Sequence, residues 1–250
     1  MSHVLDPGGW PARDIPFLQG LAPGRREWAL RMFFPARCVL CDAVMPPDAG
    51  LLLCEPCRCV LEPEPPVWQA CPDWPELDAW YSPFPYAGGV EHAIRQMKYN
   101  GQPRHARTLS FLMAQAIREM PECPDFSAVI PVPMHPRKQR SRGYNQASLL
   151  AEGVAAELQA PLLTTFLAKG RPTRAQNGQD RAERLAALAG SFVPYADADL
   201  PAPGTVLLVD DVTTTGSTLC ACAGVMRQAW LAAGNLGSGL RVHAITVAFA

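Results

Sequence analysis

Val206-Leu207-Leu208-Val209-Asp210-Asp211-Val212-Thr213-Thr214-Thr215-Gly216-Ser217-Thr218-Leu219 decides how this chain folds. Its first four residues are apolar and follow Pro203-Gly204, so they predict a short, buried parallel strand. Two acids end the run, and an Ala/Cys/Met/Trp stretch through Ala233 predicts a helix after it. The polar cluster therefore falls in a strand-to-helix turn at the carboxyl edge of a sheet, where open α/β folds bind ligands. Backbone N–H groups at a helix start, at the positive end of the helix dipole, favour a phosphate. Gly216 permits close backbone approach, and Thr214, Thr215, Ser217 and Thr218 can add hydroxyl donors. The adjacent carboxylates of Asp210 and Asp211 suit ribose hydroxyls, or a Mg²⁺ held partly by substrate oxygens. The competing reading is that Thr and Ser only cap the helix and that Asp-Asp is a solvated turn. Capping needs one such residue, whereas here two acids and several hydroxyls crowd together. A Walker-type loop is excluded, because Gly-Lys-Ser/Thr occurs nowhere in the chain.

The 250 residues, 48% of them hydrophobic, suffice for one good core and a small appendage. A net charge of −1 gives no global basic field to recruit nucleic acid, so any such site must be local. The first residues lack the apolar core of a signal peptide, and no run approaches transmembrane length, so no membrane insertion is expected. Nine cysteines, an odd number, point to a reducing cytoplasm and to metal rather than disulfides.

Residues 1–33 carry Gly and Pro without a clear period and read as an N-terminal extension. Residues 34–60 hold Cys38-Val39-Leu40-Cys41 and Cys54-Glu55-Pro56-Cys57, separated by twelve residues. Two such knuckles offer four thiolates to one structural, tetrahedral Zn²⁺; the competing reading is four free core cysteines. Cys59 and Cys71 are spares. Residues 61–85 are rich in proline and contain Trp68, Trp74 and Trp80, so they read as an extended linker or hood laid on the core. Residues 86–250 form the main domain. Helical spacing over Val90, Ile94 and Met97, and again over Ala106, Leu109, Met113 and Ile117, predicts two helices. His92 and His105 lie on no metal-ligand pattern and read as surface or helix residues. A strand through Val129-Ile130-Pro131 then runs into a loop with four cations, Arg137, Lys138, Arg140 and Arg142. Such a run straight after a strand reads as an anion-binding loop; the competing reading is a solvated basic turn, which a phosphate loop on the same sheet edge disfavours. A basic, Gly/Pro-broken stretch over residues 169–178 reads as a loop able to close over a substrate.

The 209–218 stretch resembles the 5-phosphoribosyl-1-pyrophosphate (PRPP) binding motif of type I phosphoribosyltransferases. The resemblance implies that Thr214 through Thr218 hold the 5-phosphate, with Thr213 beside them, and that Asp210 and Asp211 face the ribose as catalytic residues. The order of features narrows it: paired Cys knuckles, Val-Pro-Val with His135-Pro136, Arg140-Ser141-Arg142-Gly143-Tyr144-Asn145-Gln146, and the Asp-Asp motif. That order, over roughly residues 34–249, resembles the ComF/GntX family of phosphoribosyltransferase-like proteins, associated with DNA uptake in competent bacteria. Two departures stand out. Many members carry a further Cys pair where this chain has only Cys71, and an Asn usually follows the Arg181-Ala182-Glu183-Arg184 segment, where this chain has Leu185-Ala186-Ala187. The implied fold is an α/β, type I phosphoribosyltransferase-like parallel sheet flanked by helices, with a small N-terminal zinc-ribbon module. Two functions stay open. One is a phosphoribosyltransferase using PRPP and Mg²⁺, its pyrophosphate leaving toward Arg137, Lys138, Arg140 and Arg142. The other is a non-catalytic module that senses PRPP, a ribose-5-phosphate compound or a nucleotide while assisting single-stranded DNA or the competence machinery.

Overall fold

The central strand runs longer than its apolar heart. In the computed structural model, which describes residues 35–46, 49–70, 72–99, 102–170, 190–195, 200–236 and 239–250, it is β6 (Gly204–Thr213). Its two acids therefore sit inside the strand rather than after its end. β6 pairs in parallel with β3 (Phe126–Pro131) on one side and β7 (Leu240–Phe249) on the other. The outer edge of β7 takes two short strands, β1 (Ala79–Tyr81) and β2 (Phe84–Pro85), also in parallel. Thus Ala79–Tyr81 and Phe84–Pro85, at the end of the proline-rich 61–85 stretch, belong to the sheet. Proline is tolerated there because an edge strand needs only one row of backbone donors. A separate antiparallel ribbon joins β4 (Leu167–Lys169) to β5 (Phe192–Pro194). The extension 1–33, Cys71, the Asn100-Gly101 turn and residues 171–189 lie outside the described residues.

Alternation along each strand sends side chains to opposite faces, and here both faces are apolar. Leu207, Val209, Ile245 and Val247 point to one face, against α2 (Gly88–Tyr99), α3 (His105–Arg118) and α5 (Gln146–Leu158). Val206, Leu208, Val242 and Ala244 point to the other, against α6 (Ser217–Ala232) and the β4–β5 ribbon. α2 contributes Val90, Ile94 and Met97 and α3 contributes Leu109, Met113 and Ile117, the positions their periodicity marks as buried. His105 is a helix residue, buried at the start of α3, and desolvation pushes its pKa down to about 4. His92 is half-exposed, with Nε2 2.8 Å from Asp42. His243 packs edge-on against the ring of Trp68, at 4.7 Å between centroids.

The cysteine-rich module carries α1 (Glu55–Val60) and is built into this body rather than hung from it. Val39 is fully buried in the core shared with α2 and α3. Leu40 lies so close to the start of α2 that a Cβ on Gly89 would come within 2.8 Å of its own Cβ. The Leu52 N–H donates to Thr108 Oγ1 on α3 at 3.1 Å. Among the described residues no helix is long and apolar enough to cross a membrane.

Candidate functional site

Parallel pairing sets the site. Pro131 stands opposite Val209 and Asp210 opposite Thr246, so the loops after β3 and β6 leave the same edge of the sheet. Between them lies a cleft of about 240 Å³ whose lining includes two acids and four cations. The acids are Asp210 and Asp211, and the Asp211 N–H donates to Asp210 Oδ1 at 2.8 Å. The cations are Lys98 from α2, Lys138 and Arg142 from α4 (Pro136–Arg142), and Lys169 from β4. Lys98 Nζ lies 2.8 Å from Asp211 Oδ1. Burial works against the Lys98 charge, but Asp211 outweighs it and raises the ammonium's pKa. Burial lowers that of Lys169, whose Nζ lies 4.9 Å from the Phe192 ring centroid. Asp210 is pushed up to about 7, first by desolvation and then by the charge of Asp211.

The basic loop is a short helix with a defined geometry. His135 caps it, its Nδ1 accepting from the Arg137 N–H at 3.2 Å, and Gly143 closes it in the left-handed region. Of the four sequence-derived cations, Lys138 and Arg142 line the cleft, whereas Arg137 and Arg140 stand exposed and do not line it. Arg142 donates to Gln146 Oε1 at 2.5 Å and lies 5.6 Å from the Tyr99 ring centroid. Asn145 caps α5 through the Ala147 N–H and donates to the Val132 carbonyl at 3.0 Å, which ties the end of the basic loop to the strand it left.

The hydroxyl-rich turn is placed less uniformly than its sequence suggests. Thr218 lines the cleft, Thr214 is exposed, and Thr213 and Ser217 are buried. Thr215 Oγ1 and Ser217 Oγ lie 2.9 Å apart. Gly216, at φ 69°, is the N-cap of α6, and no side chain caps the helix there. Its first-turn N–H groups therefore receive no hydroxyl cap, which counts against reading the Thr/Ser cluster as capping alone. Trp74 lies directly over Gly216: a Cβ there would fall 2.0 Å from the indole Cε2. Glycine is thus required twice, by the backbone conformation and by the ring.

Lys98 escaped the sequence reading as a site residue because it sits in a regular element, among apolar neighbours, rather than in a basic run; Lys169 opens the basic 169–178 stretch read as a loop, whereas it ends strand β4 and lines the cleft. Trp74 was legible as packing but not as a cover on the turn. For Lys98 the usable signal is a lone cation ending the apolar stripe of α2 just before a turn.

The second candidate centre is the module. The Sγ atoms of Cys38, Cys41, Cys54 and Cys57 all lie within 4.8 Å of one another. The Cys54 N–H points at Cys38 Sγ at 3.5 Å. Burial opposes the Cys38 thiolate, but backbone N–H groups of Cys54, Leu40 and Cys41 prevail and lower its pKa to about 7. Four clustered sulfurs, one already favoured as thiolate, fit a closed tetrahedral site for a metal such as zinc. Cys59 is exposed and outside this cluster.

No known family profile matches the chain. It is 33% identical to Competence protein F of Haemophilus influenzae over 138 residues, 54% of this chain and 60% of that protein. It is 27% identical to the DNA utilization protein YhgH of Escherichia coli K12 over 198 residues, 75% of this chain and 80% of that protein. The chain is ComF-like. The ComF-like chain also matches Competence protein ComFC of Streptococcus pneumoniae at 25% identity, over 56% of that protein. It thus spans less than two thirds of the two competence proteins it matches. The adenine phosphoribosyltransferase of Leishmania tarentolae aligns with 72% of the ComF-like chain and 94% of its own, at 11% identity and a TM-score of 0.33.

Proposed function

We propose that the cleft binds a phosphorylated ribose, PRPP or a ribose-5-phosphate compound, together with Mg²⁺. One observation carries this: two carboxylates and four cations line one cleft, beside a helix start that no side chain caps. Each part has a use. The α6 N-terminus, Gly216 and the hydroxyls of Thr214, Thr215, Ser217 and Thr218 suit a monophosphate. Asp210 and Asp211 suit ribose hydroxyls, and their hard oxygen donors fit Mg²⁺, which would add charge that neutralises phosphate oxygens. Lys138 and Arg142 suit a second, more highly charged anion.

In a transfer reaction the bond from ribose C1 to the pyrophosphate oxygen breaks, a bond from C1 to an acceptor nucleophile forms, and pyrophosphate departs with the bonding pair. The cations of α4 would then stabilise the leaving group while the acids orient the sugar. We place the activity in DNA handling because the relatives are named for competence and DNA utilization. On this reading the protein works in a reducing, cytoplasmic setting, with zinc in the four-cysteine site and single-stranded DNA or competence-machinery proteins as partners. The exposed Arg137 and Arg140 favour a phosphate-backbone contact just outside the cleft.

Titration calorimetry of ribose-5-phosphate and PRPP in Mg²⁺ tests the reading, followed by pyrophosphate release with bases or DNA present. Binding of both, with PRPP the tighter, is expected. Wild-type protein that ignores both ligands removes the proposal, whereas binding without pyrophosphate release leaves the sensing role.

A further inference from the structure

We propose that Lys98 is a tethered cation that keeps the Asp210–Asp211 pair closed to free divalent metal. Mg²⁺ would then enter only together with an anionic ligand that draws Lys98 away. The inference rests on the reading above that this pair holds Mg²⁺ beside a phosphorylated sugar.

Its ground is the placement of Lys98. The Nζ atom is 2.8 Å from Asp211 Oδ1, and the two side chains are only 22% and 12% exposed. A metal bound at Asp211 needs the same oxygen lone pairs at about 2.0–2.1 Å, so the ammonium and the ion compete for one position. The Lys98 backbone cannot drift off to make room. Met97 before it is fully buried, and its carbonyl accepts from Tyr144 Oη at 2.6 Å and from Gln146 Nε2 at 3.4 Å. Only the side-chain end can move. Lys138, Arg142 and Lys169 share the cleft and add positive potential around the acids. A bare divalent ion therefore meets Asp211 already paired with Lys98, in a cleft that three further cations share. A phosphorylated ligand changes this, because its oxygens give Lys98 a new partner while the acids turn to the metal. The two bindings are then positively coupled, by the same factor in each direction.

The test uses the full chain with its four-cysteine site loaded with zinc, and Mn²⁺ alone as a spectroscopic probe of the acid pair. Electron paramagnetic resonance follows free Mn²⁺ with wild type, Lys98→Met, Lys98→Gln and Lys98→Arg, each first checked for folding by circular dichroism. Lys98→Met and Lys98→Gln should bind one Mn²⁺ at least about tenfold more tightly than wild type, as expected when a cation next to the ion is removed. Adding Asp211→Asn to either should abolish that gain. Lys98→Arg, which keeps the charge, should behave as wild type, an outcome that loss of packing alone would not give. Wild type that binds Mn²⁺ tightly without organic ligand overturns the proposal whatever the variants do, as does Lys98→Arg matching Lys98→Met. Because this readout contains no PRPP, it is independent of the sugar-phosphate titration: PRPP that fails to bind would end the functional reading and leave the Mn²⁺ contrast standing.

Discussion

Gly216→Ala is the sharpest probe of the turn, because two separate penalties converge on one methyl group. At φ 69° an alanine is held in the left-handed region, which costs about 1–2 kcal/mol. The new Cβ would also fall 2.0 Å from the Trp74 ring, and overpacking of this kind adds about 1–3 kcal/mol. The sum is roughly 2–5 kcal/mol of folding stability. The two parts separate in a double-mutant cycle with Trp74→Leu, which keeps apolar bulk but withdraws the indole. In that background only the backbone part should remain, so the coupling between the two positions should be roughly 1–3 kcal/mol. Urea melts followed by far-UV circular dichroism supply the stabilities, and calorimetry with ribose-5-phosphate supplies the binding. Gly216→Ala should weaken the phosphate by tilting the α6 start, and Trp74→Leu should return part of the affinity to the double variant. Equal losses in both backgrounds would refute the contact between ring and turn.

Asp210 should make Mg²⁺-dependent binding strengthen as pH rises through about 7, since the ligand needs the carboxylate and burial holds it protonated below that. Its raised pKa has the opposite effect on folding: between the ordinary carboxylate range and about 7 the folded state holds a proton that the unfolded state lacks, so stability falls as pH rises. Asp210→Asn should flatten both profiles, as calorimetry and melts across about pH 5–8 would show. Lys138→Ala and Arg142→Ala should each weaken PRPP about ten- to a hundredfold while changing ribose-5-phosphate little, and Arg140→Ala should weaken neither by more than about twofold in the same titration. Cys54→Ser should remove the bound metal by elemental analysis and lower the melting temperature of the whole chain, because Val39 of the module lies in the main core; a main domain that melts unchanged would show that this shared packing carries no stability.

The sheet was legible because Val206–Val209 and Val129–Pro131 are short, largely apolar runs, a pattern that survives any tertiary context. The two loops were legible because acids, hydroxyls and cations concentrate at strand ends. Other features depend on distance rather than on order along the chain. Ala79-Trp80-Tyr81 is too short, and too close to prolines, to announce itself as a strand until β7 supplies its partner. Nothing about Lys98 in the sequence says that α2 ends over Asp211, which comes far later in the chain. The four cations between 137 and 142 look equivalent in a list of residues, yet a helix turns Lys138 and Arg142 toward the cleft and leaves Arg137 and Arg140 in water.

α2 touches both centres. Gly89, at its first turn, lies against Leu40 inside the first cysteine knuckle, and Lys98, near its last, holds Asp211. A helix of twelve residues is about 18 Å of stiff rod, so its two ends cannot be displaced independently. Whatever lets the metal go loosens the footing from which Lys98 reaches. A protein stripped of metal at the cysteines should therefore grip a sugar phosphate differently from one that holds it.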